Sequence, residues 1–241
     1  AFIHPQMPND PLIFVWVALT DGISERIDDV LRIDQGELNP DKADTAVFYS
    51  ISATQPGLDG VGFGSFLIKR VVDRLCRDHK QLKHFATLSP LPGFERWLTE
   101  EHEHPSDQQH PRVQKGLEVL ADAGALERMF VDRSWLRDEA ALAKVSQPLT
   151  VLAAHYLMRE KYGEGARDRV ANFHLSNGAS IERINFPADV SRRGQKQSAG
   201  LMVNYRYRLK DIENNHESYY GKGETAHSRA IANLLRIRMP D

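Results

Sequence analysis

Between Thr45 and Leu75 a strand, a glycine turn and a helix follow one another with no spare residues, and this unit limits the fold more than any other stretch of the chain. Thr45 to Ala53 (TAVFYSISA) is rich in branched and aromatic residues, the composition of a strand. Gln55 to Gly64 (QPGLDGVGFG) then carries four glycines and a proline in ten residues. The period changes at once: Phe63, Phe66, Leu67, Val71 and Leu75 fall on one helical stripe, with Lys69, Arg70, Asp73 and Arg74 on the other side. A strand turned directly into an amphipathic helix commits this part of the chain to an α/β architecture.

The remaining segments fit around that unit. Ala1 to Pro11 holds three prolines and reads as an extended lead-in. Leu12 to Thr20 (LIFVWVALT) is apolar on both alternations, which predicts a strand covered on both faces. Ile23, Ile27, Val30 and Leu31 predict a helix over 23–33, followed by a polar connection from Gln35 to Asp44. His84 to Leu88 reads as a third strand, stopped by Ser89-Pro-Leu-Pro-Gly93, and Phe94, Trp97 and Leu98 open another helix. His102 to Arg112 is polar, with two prolines and three histidines, and reads as a loop. Val113 to Lys161 is mostly helical in pattern, Ile181 to Phe186 and Leu201 to Leu209 form a late strand pair, and a helix is predicted near 226–237. No repeat or low-complexity tract appears. The whole is one α/β domain, a mixed sheet flanked by helices, with a helical insertion at about 113–161.

Charge narrows the partners. Against 31 Lys and Arg stand 33 Asp and Glu, a net charge of −2, so nothing in the bulk electrostatics points to nucleic acid or an acidic membrane. The longest apolar run, Leu12 to Leu19, is far short of a membrane span, and no secretory leader is read at the start. One cysteine, Cys76, excludes an intrachain disulfide and fits a reducing compartment.

Chemistry is suggested at few places. In Asp59-Gly60-Val61-Gly62-Phe63-Gly64-Ser65, close glycines let backbone N–H groups approach an anion, and the helix behind adds partial positive charge. No Gly-Lys-Ser/Thr follows, and the spacing is not that of a dinucleotide fingerprint. What remains is either a plain connecting turn or the turn of the acetyltransferase-like (GNAT) acyl-CoA fold, which cradles the CoA pyrophosphate. His174, in Asn-Phe-His-Leu-Ser-Asn-Gly178, ends a helical pattern, where it either caps the helix favourably or titrates near neutrality and passes a proton. Ser89 lies in a stiff turn at a strand end, where α/β sites gather, and it is not part of a G-x-S-x-G elbow. His102, His104 and His110 have the donor atoms for zinc but the surroundings of a solvated loop, and no metal is assigned. His79-Lys80 and Arg192-Arg193 either meet a CoA phosphate or face water, and Tyr205 and Tyr207 share one face of a strand, the pattern of core packing.

Taken in order, HPQMPNDPLIFVWVALT, FYSIS, GVGFGSFLIKRVV, LSPLPGF, NFHLSNGA and ADVSRRG with GLMVNYRY resemble malonyl-CoA decarboxylase over nearly the whole chain. The resemblance implies an acetyltransferase-like catalytic domain that converts malonyl-CoA to acetyl-CoA and CO2, a carboxy-lyase of fatty acid metabolism that uses no cofactor. It implies CoA binding by Asp59, Gly60, Val61, Gly62, Phe63, Gly64 and Ser65, a proton donor in His174, and a serine, Ser89, that works with it on the malonyl group. Ser50 and Tyr207 match positions near that site. Asp59 stands where the acetyltransferase motif has Gln or Arg, so binding there falls to backbone donors. The family carries a helical region ahead of its catalytic domain and forms homo-oligomers; the present sequence starts almost directly at the HPQMP segment, so the expectation is a fragment without that region, and a cytoplasmic location is the simplest reading. The alternatives are an acyl-CoA-dependent N-acetyltransferase, which needs a base for its amine, and a non-catalytic acyl-CoA sensor.

Overall fold

The computed structural model describes residues 1–31, 39–53, 63–124 and 138–237. Among these the main sheet has six strands in the order β1-β2-β3-β4-β8-β7. They are β1 (Phe2–Ile3), β2 (Pro11–Thr20), β3 (Thr45–Ala53), β4 (His84–Thr87), β8 (Met202–Arg206) and β7 (Ser180–Asn185). Between β3 and β4 the chain runs through helix α2 (Phe63–Asp78), and the two strands pair in parallel from Thr45 opposite His84 to Phe48 opposite Thr87. The other pairings in this sheet are antiparallel, so the sheet is mixed and flanked by helices, as the strand, turn and helix unit demands.

Where the parallel pair ends, the sheet opens. The Leu88 N–H still donates to the Phe48 carbonyl at 3.1 Å. Beyond it, β3 continues to Ala53 against β2 alone, while Ser89 exchanges both backbone bonds with Val203 of β8, at 2.9 and 2.8 Å. Pro90 and Pro92 have no N–H to return to β3. The two carboxyl ends therefore part, and the gap lies where open α/β sheets place their ligands.

The helical stretch forms α3 (Phe94–Glu103), α4 (Pro111–Asp122) and α5 (Glu139–Arg159). Its buried Leu117, Leu120, Leu149 and Leu152 join Phe94, Trp97, Phe48 and Tyr205 in one core, so this region builds the domain instead of hanging from it. Gly116 sits against Leu152, whose side chain a Cβ would meet at under 3 Å, which explains a glycine inside α4. A short hairpin, β5 (Lys161–Tyr162) and β6 (Gly165–Ala166), leads into α6 (Arg169–Ser176). Then come α7 (Arg192–Ser198), α8 (Ile212–Lys222) and α9 (Arg229–Leu234).

Some expectations are corrected. Strand β2 is half-buried along most of its length and exposes Trp16 by 56%, because only one face is covered. The helix expected to start at residue 23 starts only at Ile27 as α1 (Ile27–Leu31), whose Ile27 and Val30 pack on Val47, Leu88, Ala188 and Met202; residues 32 and 33 lie outside the described residues. The loop expected to run to Arg112 gives way earlier, where Pro111 starts α4 and His110 caps it by accepting the Arg112 N–H at 3.1 Å.

Candidate active site

A cavity of about 630 Å³ occupies the gap between the parting strands. Its floor is formed by Ser89 and His174, with Ser50 of β3 on one side, Phe173 of α6 on another, and Arg169 and Arg193 at the rim.

Ser89 is fixed from three directions. Its backbone is bonded to Val203, the Leu91 N–H donates to the buried Ser198 hydroxyl of α7 at 2.8 Å, and the Gly93 N–H approaches the Asp168 carboxylate at 3.4 Å. A Cβ on Gly93 would lie 2.5 Å from the Tyr156 hydroxyl, so only glycine lets the turn pass there. Asp168 also caps α6, accepting from the Val170 and Ala171 N–H groups at 3.0 and 2.9 Å. Burial pushes its carboxyl up against those bonds. One residue thus ties the start of the helix that carries His174 to the turn that carries Ser89.

Helix α6 stops at Asn177-Gly178, where Gly178 takes φ +79° and a Cβ would strike the Ile212 carbonyl. Val170, Phe173 and His174, three and four residues apart, face the cavity together. The His174 ring stacks on Tyr205 at 4.6 Å between centroids, and its edge meets Phe173 at 5.1 Å. Its Nε2 lies 3.2 Å from Ser89 Oγ, and its Nδ1 lies 2.8 Å from the Tyr207 hydroxyl.

Two facts set the polarity of this chain of bonds. Burial lowers His174 to about 3, so the ring is neutral at physiological pH and does not titrate near neutrality, the sequence expectation notwithstanding. Burial also pushes the Tyr207 phenol well up, so its O–H stays on and donates to the one partner in reach among the described residues, Nδ1. The imidazole proton is then on Nε2 and donates to Ser89 Oγ, and the Ser89 hydroxyl donates to Thr87 Oγ1 at 2.9 Å. Thr87 Oγ1 also accepts the Tyr205 N–H at 3.1 Å. Such a chain holds a neutral N–H donor on Ser89 at the cavity floor and does not draw the proton from Ser89, as a nucleophilic serine requires.

Of the residues singled out from the sequence, Ser89, His174 and Ser50 come together here, and Arg193 joins them. Tyr207 lies behind His174, 2% exposed, and reaches the imidazole instead of the cavity. Asp59, Gly60, Val61 and Gly62 lie outside the described residues; Phe63, Gly64 and Ser65 form the first turn of α2. Among the described residues no cluster of three metal-binding side chains occurs. Sequence reasoning missed Thr87, Asp168 and Ser198, which hold the floor in place; Asp168 alone had a signal, as a cap three residues ahead of a helical stripe. A larger cavity of about 820 Å³, lined by Arg159, Arg208, Asp211 and Glu224, is open and of mixed charge, and lacks a comparable hydrogen-bonded group.

The family model described as malonyl-CoA decarboxylase C-terminal domain matches residues 1–241. Proteins named mitochondrial malonyl-CoA decarboxylase from Anser anser anser and Rattus norvegicus are each 39% identical to the chain over 97% of its length. The chain spans 48% and 50% of those two proteins, about half the length of the curated relatives it matches. The crystal structure of malonyl-CoA decarboxylase from Rhodopseudomonas palustris is 39% identical and superposes with a TM-score of 0.86, covering 96% of this chain and 51% of that one. The one from Agrobacterium vitis is 45% identical, with a TM-score of 0.85 and coverage of 97% and 56%.

Proposed function

The chain belongs to the malonyl-CoA decarboxylase family, and from that premise we propose that it converts malonyl-CoA to acetyl-CoA and CO2 at the Ser89–His174 floor. The observation that supports this most is the bond polarity there: a neutral imidazole aims Nε2–H at a hydroxyl in a cavity wide enough for an acyl chain.

In the reaction the bond between the α-carbon and the carboxylate breaks, CO2 leaves, and the electron pair moves into the thioester as an enolate. No cofactor is needed, because the thioester carbonyl is itself the electron sink. Backbone N–H groups at the strand end beside the glycine motif polarise that carbonyl, and the motif itself, Asp59 to Ser65, binds the CoA pyrophosphate. Ser89 orients the malonyl group, with Ser50 on the opposite wall. His174 gives its Nε2 proton to the α-carbon, and the carbonyl reforms. A neutral imidazole can serve as the acid toward so basic a carbon. Tyr207 donates to Nδ1 and steadies the negative ring that results until water returns one proton, so each turnover consumes one proton from solvent.

An N-acetyltransferase would need a base for its amine, and an imidazole held near 3 is a poor one. Homo-oligomer formation and a cytoplasmic location belong to the same reading; the second rests on one unpaired cysteine, Cys76. Mass-resolved chromatography of the protein with malonyl-CoA and no amine tests the proposal. Acetyl-CoA appearing with wild type and lost with Ser89→Ala and His174→Ala supports it. Bound but intact malonyl-CoA would favour a sensor, and absence of binding would remove the CoA assignment.

A further inference from the structure

The reading above requires the cavity to take in a carboxylate, and the floor offers nothing to balance its charge. Thr87 and Ser89 are hydroxyls, and His174 is a neutral ring. In sequence the glycine stretch adds no cation either, since residues 54–62 carry a single charged side chain, Asp59. Among the described residues that line the cavity, the cations are Arg169 and Arg193.

The two arginines differ. Arg169 stands next to the carboxylate of Asp168 and its charge acts on that group. Arg193 belongs to α7, and the ion pairs among the described residues leave it out. It shares the cavity wall with Gln197, one helical turn on, so this face of α7 is turned to the cavity. The helix is also locked to the floor: Ser191 caps it through the Gly194 N–H at 3.1 Å, and its Ser198 accepts the Leu91 N–H two residues past Ser89. Arg193 is therefore held in register with Ser89.

We infer that Arg193 is the specificity-determining residue for the substrate carboxylate, holding it above the Ser89–His174 pair and selecting malonyl over neutral acyl thioesters. Its exposed position suits the chemistry. A guanidinium screened by water binds and orients a carboxylate, whereas a dry ion pair would hold the electrons on the group that must release them.

Two stable thioethers separate the possibilities. S-(2-carboxyethyl)-CoA places a carboxylate at the malonyl distance from sulfur and cannot decarboxylate; S-propyl-CoA has the same chain length without the charge. By calorimetry, wild type should bind the first about tenfold more tightly than the second, as one charge-assisted bond at a partly screened site provides. Arg193→Gln should abolish that preference and leave S-propyl-CoA within about twofold, which also shows that the variant is folded; Arg193→Lys should keep part of it. Equal weakening of both ligands would place the guanidinium on a CoA phosphate, and unchanged binding of both would place it in solvent; either overturns the inference. Failure of unsubstituted protein to bind either thioether would bring down the acyl-CoA reading itself, and it is recognised without any Arg193 variant.

Discussion

Two histidines are almost equally withdrawn from solvent, His174 with 4% exposure and His155 with 3%. Each stacks on an aromatic ring, Tyr205 for the first and Trp97, at 6.2 Å, for the second. Their nitrogens fare differently. Both ring nitrogens of His174 meet hydroxyls from other elements, and the ring borders a cavity. His155 leaves Nδ1 without a partner among the described residues, holds Nε2 3.6 Å from Glu160 and packs beside His110 in the helical region. Burial alone therefore does not mark a working imidazole. A donor that fixes the tautomer on one side and an acceptor facing open space on the other do.

The widest separation should come from truncating each ring. His174→Ala should lower kcat about a thousandfold, the usual worth of a positioned general acid, with KM little changed. His155→Ala should leave decarboxylation within about twofold. Comparable losses in both would mean that the ring at 174 acts through packing, and the contrast would be gone.

Acid tests the His174 side next. The folded-state value of His174 lies near 3, below its ordinary 6.5, so the neutral ring is compatible with the fold and the charged one is not. Its contribution is complete above about 6.5 and is lost as the pH falls toward 3. Linkage puts the loss at about 2–3 kcal/mol by about pH 4.5, an order-of-magnitude figure. Urea titrations should show wild type losing more stability between pH 7 and 4.5 than His174→Gln does, since other acid-sensitive groups are common to both. A pH–rate profile for wild type should show no inflection from His174 between about 5.5 and 8; one near 6.5 would contradict a neutral ring.

Only the His174 side of this contrast could be read from the chain before its structure, and the omissions have physical reasons. Strands 45–53 and 84–87 and helix 63–78 announced themselves through composition, a glycine turn and a change of period, so the cavity between the strand ends was implied. Ser89 and His174 were visible as motifs. Their contact, 85 residues apart in sequence, is a product of β8 pulling the Ser89 turn away from β3, which no local pattern records. Helix α7 (RRGQKQS) has no apolar stripe, and α8 buries only Ile212 and Tyr219, seven positions apart, so both escaped a reading based on periodicity. The first of these carries Arg193. The tautomer was beyond reach as well, because it depends on the Tyr207 hydroxyl having one partner.

A gentler change acts on that hydroxyl. Tyr207→Phe keeps the ring and its burial but removes the donor to Nδ1, freeing the imidazole proton to move to the wrong nitrogen. Activity should fall about tenfold, in kcat more than KM, as expected for one charge-assisted bond lost in the transition state. Unchanged kcat would show that Ser89 alone sets the tautomer.

The smallest expected effect lies on the other side of the comparison. His155→Phe retains the ring stacked on Trp97 and the volume in the core, and removes Nδ1, which is buried without a partner among the described residues. It also takes a neighbour from Glu160, but that carboxylate keeps Arg167 at 3.6 Å. Losing an orphaned buried polar atom is favourable and losing a half-buried neighbour is unfavourable, each by about 1 kcal/mol, so the net change in unfolding free energy should stay within about 1 kcal/mol. The same conservative exchange at 174 would leave the buried Tyr207 hydroxyl facing a hydrocarbon edge, at about 1–3 kcal/mol for that unsatisfied group, while Ser89 keeps its bond to Thr87. Denaturant titrations of the two phenylalanine variants test this directly. If His155→Phe cost as much as His174→Phe, the unpartnered nitrogen at 155 would have to be serving a polar contact after all, and the difference between the two rings would lie in the cavity alone.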